Sequence, residues 1–252
     1  MPLSRPALPL TLSLSPLGEG IEMAPSPSLR ERAGVRVGGR WVPRALRVQS
    51  EIMARHPTRH WRALSLGGAA LFLGLGVLVF AIGLLPGDTT LYEEVMARRT
   101  PAVRAFFSWV NIFGSWKGLL PASLVLLAIS PEARKRWWLI VLVLLAAPAI
   151  EQVAKHLVGR TRPRGSAMGF PSGHMTGAAA FAVIAIYFAI KEPWSRVQRL
   201  GLTAVVAVMM VLVGLARLVL HAHWPSDVLG GFLLGSSCAA AGAWWDARRS
   251  AA

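Results

Sequence analysis

Long apolar runs separated by short basic segments constrain the fold of this chain more than any other feature. Ala63–Gly87 contains no charged residue, and roughly 20 apolar residues suffice for a helix to cross about 30 Å of hydrocarbon. Five more runs follow it: Gly118–Ser130, Trp137–Ile150, Met175–Ile190, Leu200–Ala216 and Val228–Trp245. The second run is short unless residues 106–116 extend it and Lys117 snorkels, and the third can continue through Glu151 and Lys155. The sequence therefore predicts an all-α, polytopic membrane protein with six transmembrane helices.

The composition supports this class and excludes others. Hydrophobic residues make up 54% of the chain and charged residues only 15%, whereas soluble domains carry about 25% charged residues. An ordinary water-soluble globule is therefore excluded, and so is a disordered chain, which would be poor in apolar residues. The single cysteine, Cys238, excludes an intramolecular disulfide framework and a multi-cysteine metal site.

The basic residues, 27 against 12 acidic ones, indicate how the chain is oriented. An excess of this size also suits nucleic acid, but here the cations lie between apolar runs, where they orient helices and attract anionic lipid. We therefore expect the bilayer as a partner and no nucleic acid. Basic segments precede the first helix and follow the second, fourth and sixth: Arg55–Arg62, Arg134–Arg136, Lys191–Arg199 and Arg248–Arg249. With six spans all four face one side, which predicts cytoplasmic termini in a multi-pass protein of the cell (inner) membrane.

One loop on the predicted non-cytoplasmic side departs from this rule. Residues 159–173 are themselves basic, with Arg160, Arg162 and Arg164, although positive charge normally collects on the cytoplasmic side. A basic loop in this place indicates a role other than topology.

Residues 1–52 differ from the rest of the chain. They hold 7 of the 17 prolines and show no sustained periodicity. We hypothesise that this low-complexity segment is an N-terminal extension lying upstream of the true start at Met53; a genuine disordered basic arm is the alternative. The predicted membrane domain is residues 53–252.

Two cations mark the end of the third predicted helix. Lys155 and Arg162 are seven residues apart, close to two helical turns, so they point the same way if the helix persists, and Pro163 favours a turn there. Taken alone, the pair could be a topological anchor. Together with Arg217 it would form a cage for a dianion, because Arg offers bidentate forks and Lys a point charge.

The tetrapeptide Pro171-Ser172-Gly173-His174 directly precedes the fourth predicted helix. Helix N-termini bind anions through unpaired N–H groups and a partial positive charge. Ser172 can donate a hydroxyl, Gly173 lets the backbone approach a ligand, and His174 can give a proton to a leaving oxygen. By itself the tetrapeptide fits equally well a simple Ser172 N-cap with an interfacial His174.

His223 and Asp227 lie four residues apart around Pro225, which starts the sixth predicted helix. A carboxylate one turn along can accept the proton of one imidazole nitrogen and leave the other as a nucleophile. Alone, the pair could also be a structural hydrogen bond or half of a metal site. We disfavour a metal because His221 and His174 bring no further carboxylate or cysteine at ligand spacing, and three cations would repel a divalent ion.

Taken together, the three clusters resemble a known family. The motifs are Lys155-x6-Arg162-Pro163, Pro171-Ser172-Gly173-His174 and Arg217-x5-His223-x3-Asp227. In order and spacing they resemble the type 2 phosphatidic acid phosphatase family, which is related to the vanadium haloperoxidases and bacterial acid phosphatases. The resemblance covers roughly Ala63–Trp245. The family's third motif usually opens with Ser-Arg, where this chain has Ala216-Arg217; the lost hydroxyl removes a supporting hydrogen bond but no charged or nucleophilic group.

The resemblance implies the helical bundle of that family and a role for each residue. His223 would attack phosphorus to form a phosphohistidine, Asp227 would hold the ring, and His174 would protonate the leaving group and then activate water. The equatorial oxygens would be bound by Lys155, Arg162, Ser172, the amide of Gly173, and Arg217. Preorganised donors stabilise the charge spread over these oxygens. No metal or organic cofactor is needed for this chemistry.

These implications predict a metal-independent lipid phosphatase acting on undecaprenyl pyrophosphate or on the phosphatidic acid and phosphatidylglycerophosphate class. A lipid A phosphatase or phosphotransferase would use the same residues. A non-catalytic phospholipid-binding or transport protein is the alternative class, since binding needs the three cations but no His223–Asp227 pair. A vanadate-dependent oxidation is a more remote alternative, and burial in a membrane argues against it.

Overall fold

The computed structural model describes residues 34–37, 40–43 and 57–250 of the chain, which divides into two compact units, Met1–Glu51 and Ile52–Ala252. In the first unit, strands β1 (Gly34–Val37) and β2 (Arg40–Pro43) pair antiparallel, with Val35 opposite Val42. Apart from these two strands, the prediction made for residues 1–52 lies outside the described residues.

The second unit is built from helices. In chain order they are α1 (Pro57–Ile82), α2 (Asp88–Ala97), α3 (Pro101–Val110), a 3-10 turn (Asn111–Gly114), α4 (Trp116–Ile129), α5 (Pro131–Lys135), α6 (Trp137–Val158), α7 (Gly173–Lys191), α8 (Arg196–Val219) and α9 (Pro225–Arg249). Five of them, α1, α6, α7, α8 and α9, are long and apolar enough to cross a membrane. Lipid-facing side chains on α1 such as Leu73 and Phe80 are 65% and 70% exposed, as expected for a surface covered by hydrocarbon rather than water. The all-α, multi-pass class is thus confirmed.

The second of the six predicted crossings is broken rather than continuous. Residues 101–114 and 116–129 form a pair of helical segments bent by 58°. Arg104 in the first segment lines a cavity with Arg162, whereas Ser130, just after the second, hydrogen-bonds Glu192 beyond the end of α7. The pair therefore runs from one end of the bundle to the other. The sequence predicts one helix here; the structure divides it because the 3-10 turn is followed by Ser115 in an extended conformation.

Acidic and basic side chains tie three helices together at one end of the bundle. Asp246 near the end of α9 accepts hydrogen bonds from Arg136, before α6, at 3.0 Å, and from Lys191, at the end of α7, at 2.7 Å. The buried Tyr187 hydroxyl also donates to Asp246. We call this the basic end, because Arg136 and Lys191, from two of the predicted basic segments, meet the end of α9 there. The loops 159–172 and 220–224 lie at the opposite end, which we call the loop end.

Helix α7 forms the centre of the bundle and packs closely on α9. A Cβ added at Gly235 would lie 2.2 Å from the carbonyl oxygen of Thr176, and one at Gly231 would lie 2.5 Å from that of Ser172. Only glycine permits this approach at these two positions. As a result the N-termini of α7 and α9 lie side by side at the loop end, where the amide of Ser172 donates to the carbonyl oxygen of Asp227 at 2.9 Å.

Candidate active site

A buried histidine–aspartate pair lies at the centre of the loop end. His223 is in the short connection between α8 and α9 and is only 2% exposed, and Asp227, in the first turn of α9, is 0% exposed. The ring nitrogen Nδ1 of His223 is 3.3 Å from Oδ2 of Asp227. This contact assigns the ring proton to Nδ1 and leaves Nε2 with its lone pair, the form that can attack an electrophile.

The surroundings favour the neutral form of His223. Burial lowers the pKa of His223 to about 4, and the nearby charges of Arg217 and Arg162 also lower it, whereas Asp227 acts in the opposite direction. A histidine with a lowered pKa is uncharged at every pH above that value. At neutral pH the imidazole is therefore available as a nucleophile.

The predicted phosphate cage, namely Lys155, Arg162, Ser172, Gly173 and Arg217, surrounds this pair. Arg217 lies in the last turn of α8, and its backbone carbonyl accepts a hydrogen bond from the amide of His223 at 3.3 Å. Arg162 donates to the carbonyl oxygen of Met168 at 3.1 Å, which fixes its guanidinium within the loop. Arg162 and Arg217 thus line one cavity from separate elements, and Lys155 lies in the last turn of α6.

Lys155 and Gly173 meet through an acidic side chain. Lys155 forms an ion pair with Glu151 one turn earlier on α6, and both side chains are buried. A Cβ at Gly173 would lie 2.8 Å from Oε1 of Glu151, so a larger residue there would displace the Glu151 carboxylate. Glu151 therefore partners Lys155, as expected for an acid inside a transmembrane helix.

The N-terminus of α7 presents polar groups to the same region. Ser172 occupies the N-cap position without making a side-chain capping bond, and its fully buried hydroxyl has no hydrogen-bond partner in the described part of the chain. His174 is half-buried and points Nε2 toward the side-chain amide of Asn111, at 3.4 Å. The structure thus brings all eight predicted site residues to the loop end, and their roles stay predictions.

The donor set offers no arrangement for a metal. Among residues 57–250 and the two short strands, no group of three or more His, Cys, Asp or Glu side chains is placed to hold a metal ion. The groups present, three cations, hydroxyl and amide donors, suit an anion instead.

Comparison with known proteins identifies the family that this chain resembles. Residues 136–251, which contain the whole predicted site, match the model of the PAP2 superfamily, the type 2 phosphatidic acid phosphatases. The structure also superposes on the crystal structure of a transmembrane PAP2-type phosphatidylglycerolphosphate phosphatase from Bacillus subtilis, with a TM-score of 0.66 and 26% identity, over 74% of this chain and 97% of that one. Over residues 136–251 the chain is therefore similar to the PAP2 superfamily.

Two sequence relatives extend the comparison. The chain is 29% identical over 173 residues to phosphatidylglycerophosphatase B of Bacillus subtilis, which covers 65% of this chain and 85% of the relative. It is 24% identical over 181 residues to an undecaprenyl-diphosphatase of Sulfolobus acidocaldarius, covering 66% and 83%. The names of these relatives refer to different lipid phosphates, so similarity to them does not identify the substrate of this chain.

Arg160 and Asp88 support Asp227 from outside the three PAP2 motifs. Asp227 accepts a hydrogen bond from Arg160 at 2.7 Å through the carboxylate oxygen that does not face His223. Arg160 also donates to Asp88 at 2.6 Å and to Ser226 at 2.6 Å. All these side chains are buried. We call Asp88, Arg160 and Ser226 the Asp227 clamp, because they fix the rotamer that presents Oδ2 to His223.

Asp88 is ionised within this clamp. Burial raises its pKa, but hydrogen bonds from Ser226, Arg160 and the amide of Leu85 outweigh burial, so the pKa of Asp88 lies below its usual range. Two carboxylates therefore share one guanidinium. Sequence reasoning noted Arg160 only as part of a basic loop, and no pattern marked Asp88, which is 72 residues away.

Asn111 is a second residue that sequence reasoning missed. Its side-chain oxygen accepts a hydrogen bond from Arg217 at 2.5 Å, which leaves its amide nitrogen to face Nε2 of His174. The 3-10 turn that breaks the second predicted crossing places Asn111 at the loop end. The break therefore connects the predicted general acid to the phosphate cage.

We predict that Arg160→Lys lowers kcat by roughly 10²-fold with a smaller effect on KM, since lysine keeps the charge but not the fork that reaches both carboxylates. Arg136→Lys, the same exchange in the buried ion cluster of the basic end, is the matched control and should leave kcat unchanged. Steady-state phosphate release and thermal unfolding of both purified variants check this. Equal kcat values for the two variants would contradict a positioning role for Arg160.

Proposed function

We propose that this chain is an integral membrane lipid phosphatase that works through a phosphohistidine at His223. The observation that carries the proposal is a groove of about 790 Å³ between α4 and α6. Its walls are mostly apolar, with Leu120, Leu124, Val141, Leu144 and Leu145 along its length, and one end reaches Lys155, Gly173 and His174. A lipid chain lying in this groove places its phosphate at the cage.

The groove also matches the thickness of a membrane. Its lining on α6 extends from Trp137 to Lys155, a distance of roughly 27 Å at about 1.5 Å per residue, close to the hydrocarbon width of a bilayer. A phosphate ester with no long apolar chain would leave this surface unused. The substrate class is therefore a lipid phosphate, not a soluble phosphomonoester.

The first half of the reaction transfers the phosphoryl group to the protein. Nε2 of His223 forms a bond to phosphorus while the bond from phosphorus to the leaving oxygen breaks. His174 gives its proton to that oxygen, and Asp227 stabilises the positive charge that develops on the His223 ring. The three cage cations hold the equatorial oxygens, which carry most of the charge in the transition state.

The second half releases phosphate. His174, now neutral, takes a proton from a water molecule, whose oxygen bonds to phosphorus as the bond from phosphorus to His223 breaks. Orthophosphate leaves, and both histidines return to their starting forms. No step requires a metal or an organic cofactor.

The proposal extends to topology and substrate. The chain is a multi-pass membrane protein, and we infer that the basic end faces the cytoplasm of the cell membrane while the loop end faces the opposite side, because short basic loops stay cytoplasmic. The names of the relatives favour a phosphomonoester or diphosphate on lipid, of the phosphatidylglycerophosphate or undecaprenyl pyrophosphate class.

A phospholipid-binding or transport protein is the alternative to an enzyme. Binding alone would be served by Lys155, Arg162 and Arg217. It would not require an imidazole and a carboxylate buried as a hydrogen-bonded pair, which is costly to hold away from water. The His223–Asp227 pair therefore favours catalysis.

Phosphate release from a panel of detergent-solubilised lipid phosphates in excess EDTA tests the proposal. The wild type should release phosphate, and His223→Ala should lose at least about 10³-fold in kcat, because the nucleophile itself is removed. His156→Ala, an exposed histidine on α6, is the control and should retain activity. Retained turnover in His223→Ala, or chelator-sensitive turnover in the wild type, would contradict the mechanism; lipid binding without turnover would favour the alternative.

A second prediction concerns the groove. Leu124→Trp fills its α4 wall and should raise KM roughly tenfold for a long-chain lipid phosphate, while a short-chain soluble analogue keeps its KM, because only the long chain occupies the blocked volume. Leu73→Trp, on the lipid-facing surface of α1, serves as the control. Equal KM changes for both chain lengths would show that the chain lies elsewhere.

A further inference from the structure

The positive charges near the predicted site fall into two groups. Lys155 is neutralised by Glu151, and Arg160 is shared by two carboxylates. Arg162 and Arg217 belong to the cage and have no acidic partner. Other arginines on the same side of the bundle raise the question of what further anion they serve.

A second cavity near the predicted site brings these arginines together. A cavity of about 370 Å³ at the loop end is lined by four arginines, Arg104, Arg162, Arg164 and Arg217. Within residues 57–250, none of the four forms an ion pair with a carboxylate. Four uncompensated cations facing one cavity repel each other, so the arrangement is stabilised by an anion.

The four arginines come from three segments of the chain and lie at different depths. Arg217 is buried, and its Nε has no hydrogen-bond partner among the described residues. Arg104 on α3 and Arg164 in the 159–172 loop are exposed, and the guanidinium of Arg164 donates to the carbonyl oxygen of Leu220, which holds it at the rim. Burial lowers the pKa of His221, and the nearby charges of Arg99, Arg164 and Arg104 lower it further.

The positive charges in this cavity outnumber the negative charges of one phosphate group. A phosphate monoester carries about two negative charges at neutral pH, and Arg162 and Arg217 match these once Lys155 is paired. Arg104 and Arg164 then provide two more positive charges in the same cavity. Together with the hydroxyls of nearby serines these are the donors that bind phosphate oxygens.

We propose that Arg104 and Arg164, with Ser108 and Ser166, form a second phosphate-binding subsite beside the cage. The inference rests on the proposed function, since it takes the cage as the place of the reacting phosphate. The subsite and the lipid groove meet at the same turn: Asn111 lines the cavity, while Gly114 and Ser115 line the groove. A phosphate held there therefore lies next to the group that reacts.

Two sources supply this chemistry. The second phosphate of a lipid that carries two phosphate groups would bind during catalysis and make the enzyme prefer such substrates. Released orthophosphate would bind after catalysis and slow turnover by product inhibition. The same residues serve both, and the two sources separate in an experiment.

The test compares farnesyl diphosphate with farnesyl monophosphate, which share one chain, in the wild type and in Arg104→Gln/Arg164→Gln. For a substrate phosphate, kcat/KM for the diphosphate should fall roughly 10- to 100-fold more than for the monophosphate. For released orthophosphate, both substrates should change equally while the inhibition constant of orthophosphate rises roughly tenfold. Arg98→Gln removes an exposed arginine at the end of α2, outside the lining of this cavity, and controls for general charge loss.

Binding of the same two lipids is also measured on His223→Ala and on His223→Ala combined with Arg104→Gln/Arg164→Gln. These measurements do not depend on turnover. Calorimetry in detergent should show the same selective loss of affinity, or a loss of orthophosphate affinity alone. If the wild type hydrolyses neither lipid, the proposed function fails while the calorimetric loss still supports the subsite. If neither the substrate preference nor orthophosphate affinity differs from the Arg98→Gln control, the subsite is refuted.

Discussion

The buried carboxylate of Asp227 is the group on which the loop end depends. An ionised carboxylate taken out of water is strongly destabilising unless hydrogen-bond donors and counter-charges replace its hydration. Here the amide of Trp224, the ring of His223 and the guanidinium of Arg160 provide them at 2.9, 3.3 and 2.7 Å. Trp224 and His223 lie in the connection between α8 and α9, and Arg160 lies in the loop after α6, so satisfying one carboxylate ties this loop to the start of α9.

The membrane explains why the polar groups gather at the two ends of the bundle. Along most of their length the helices meet lipid or each other, and both surfaces exclude unpaired charge. Most buried acids are paired with cations: Asp88 with Arg160, Glu151 with Lys155, and Asp246 with cations at the basic end. The buried Glu192 instead accepts hydrogen bonds from Ser130 and the amide of Glu132. The arginines of the cage and of the outer cavity line one cavity without a carboxylate partner among the described residues, which is why they point to an anion from outside.

Sequence patterns predicted the spans and the eight clustered residues because both rest on local rules. Apolar length marks a crossing helix, and the spacing of His223 and Asp227 places them one helical turn apart. Asp88 and Asn111 were not predicted because their partners are distant in sequence. Asp88 contacts Ser226, which is 138 residues away, and Asn111 contacts Arg217, which is 106 residues away. The bend that places Asn111 was not predicted, because the aromatic stretch of residues 106–116 was taken as an extension of one helix.

The most direct test of this account is to trap the phosphorylated protein. His174→Ala mixed with a phosphate ester whose leaving group needs no protonation should form the phosphoenzyme but hydrolyse it slowly, because water activation is lost. After a rapid quench, peptide mass spectrometry should find an acid-labile, base-stable phosphoryl group on His223. A phosphoryl group on another residue, or turnover without any labelled protein, would contradict a mechanism based on the His223–Asp227 pair.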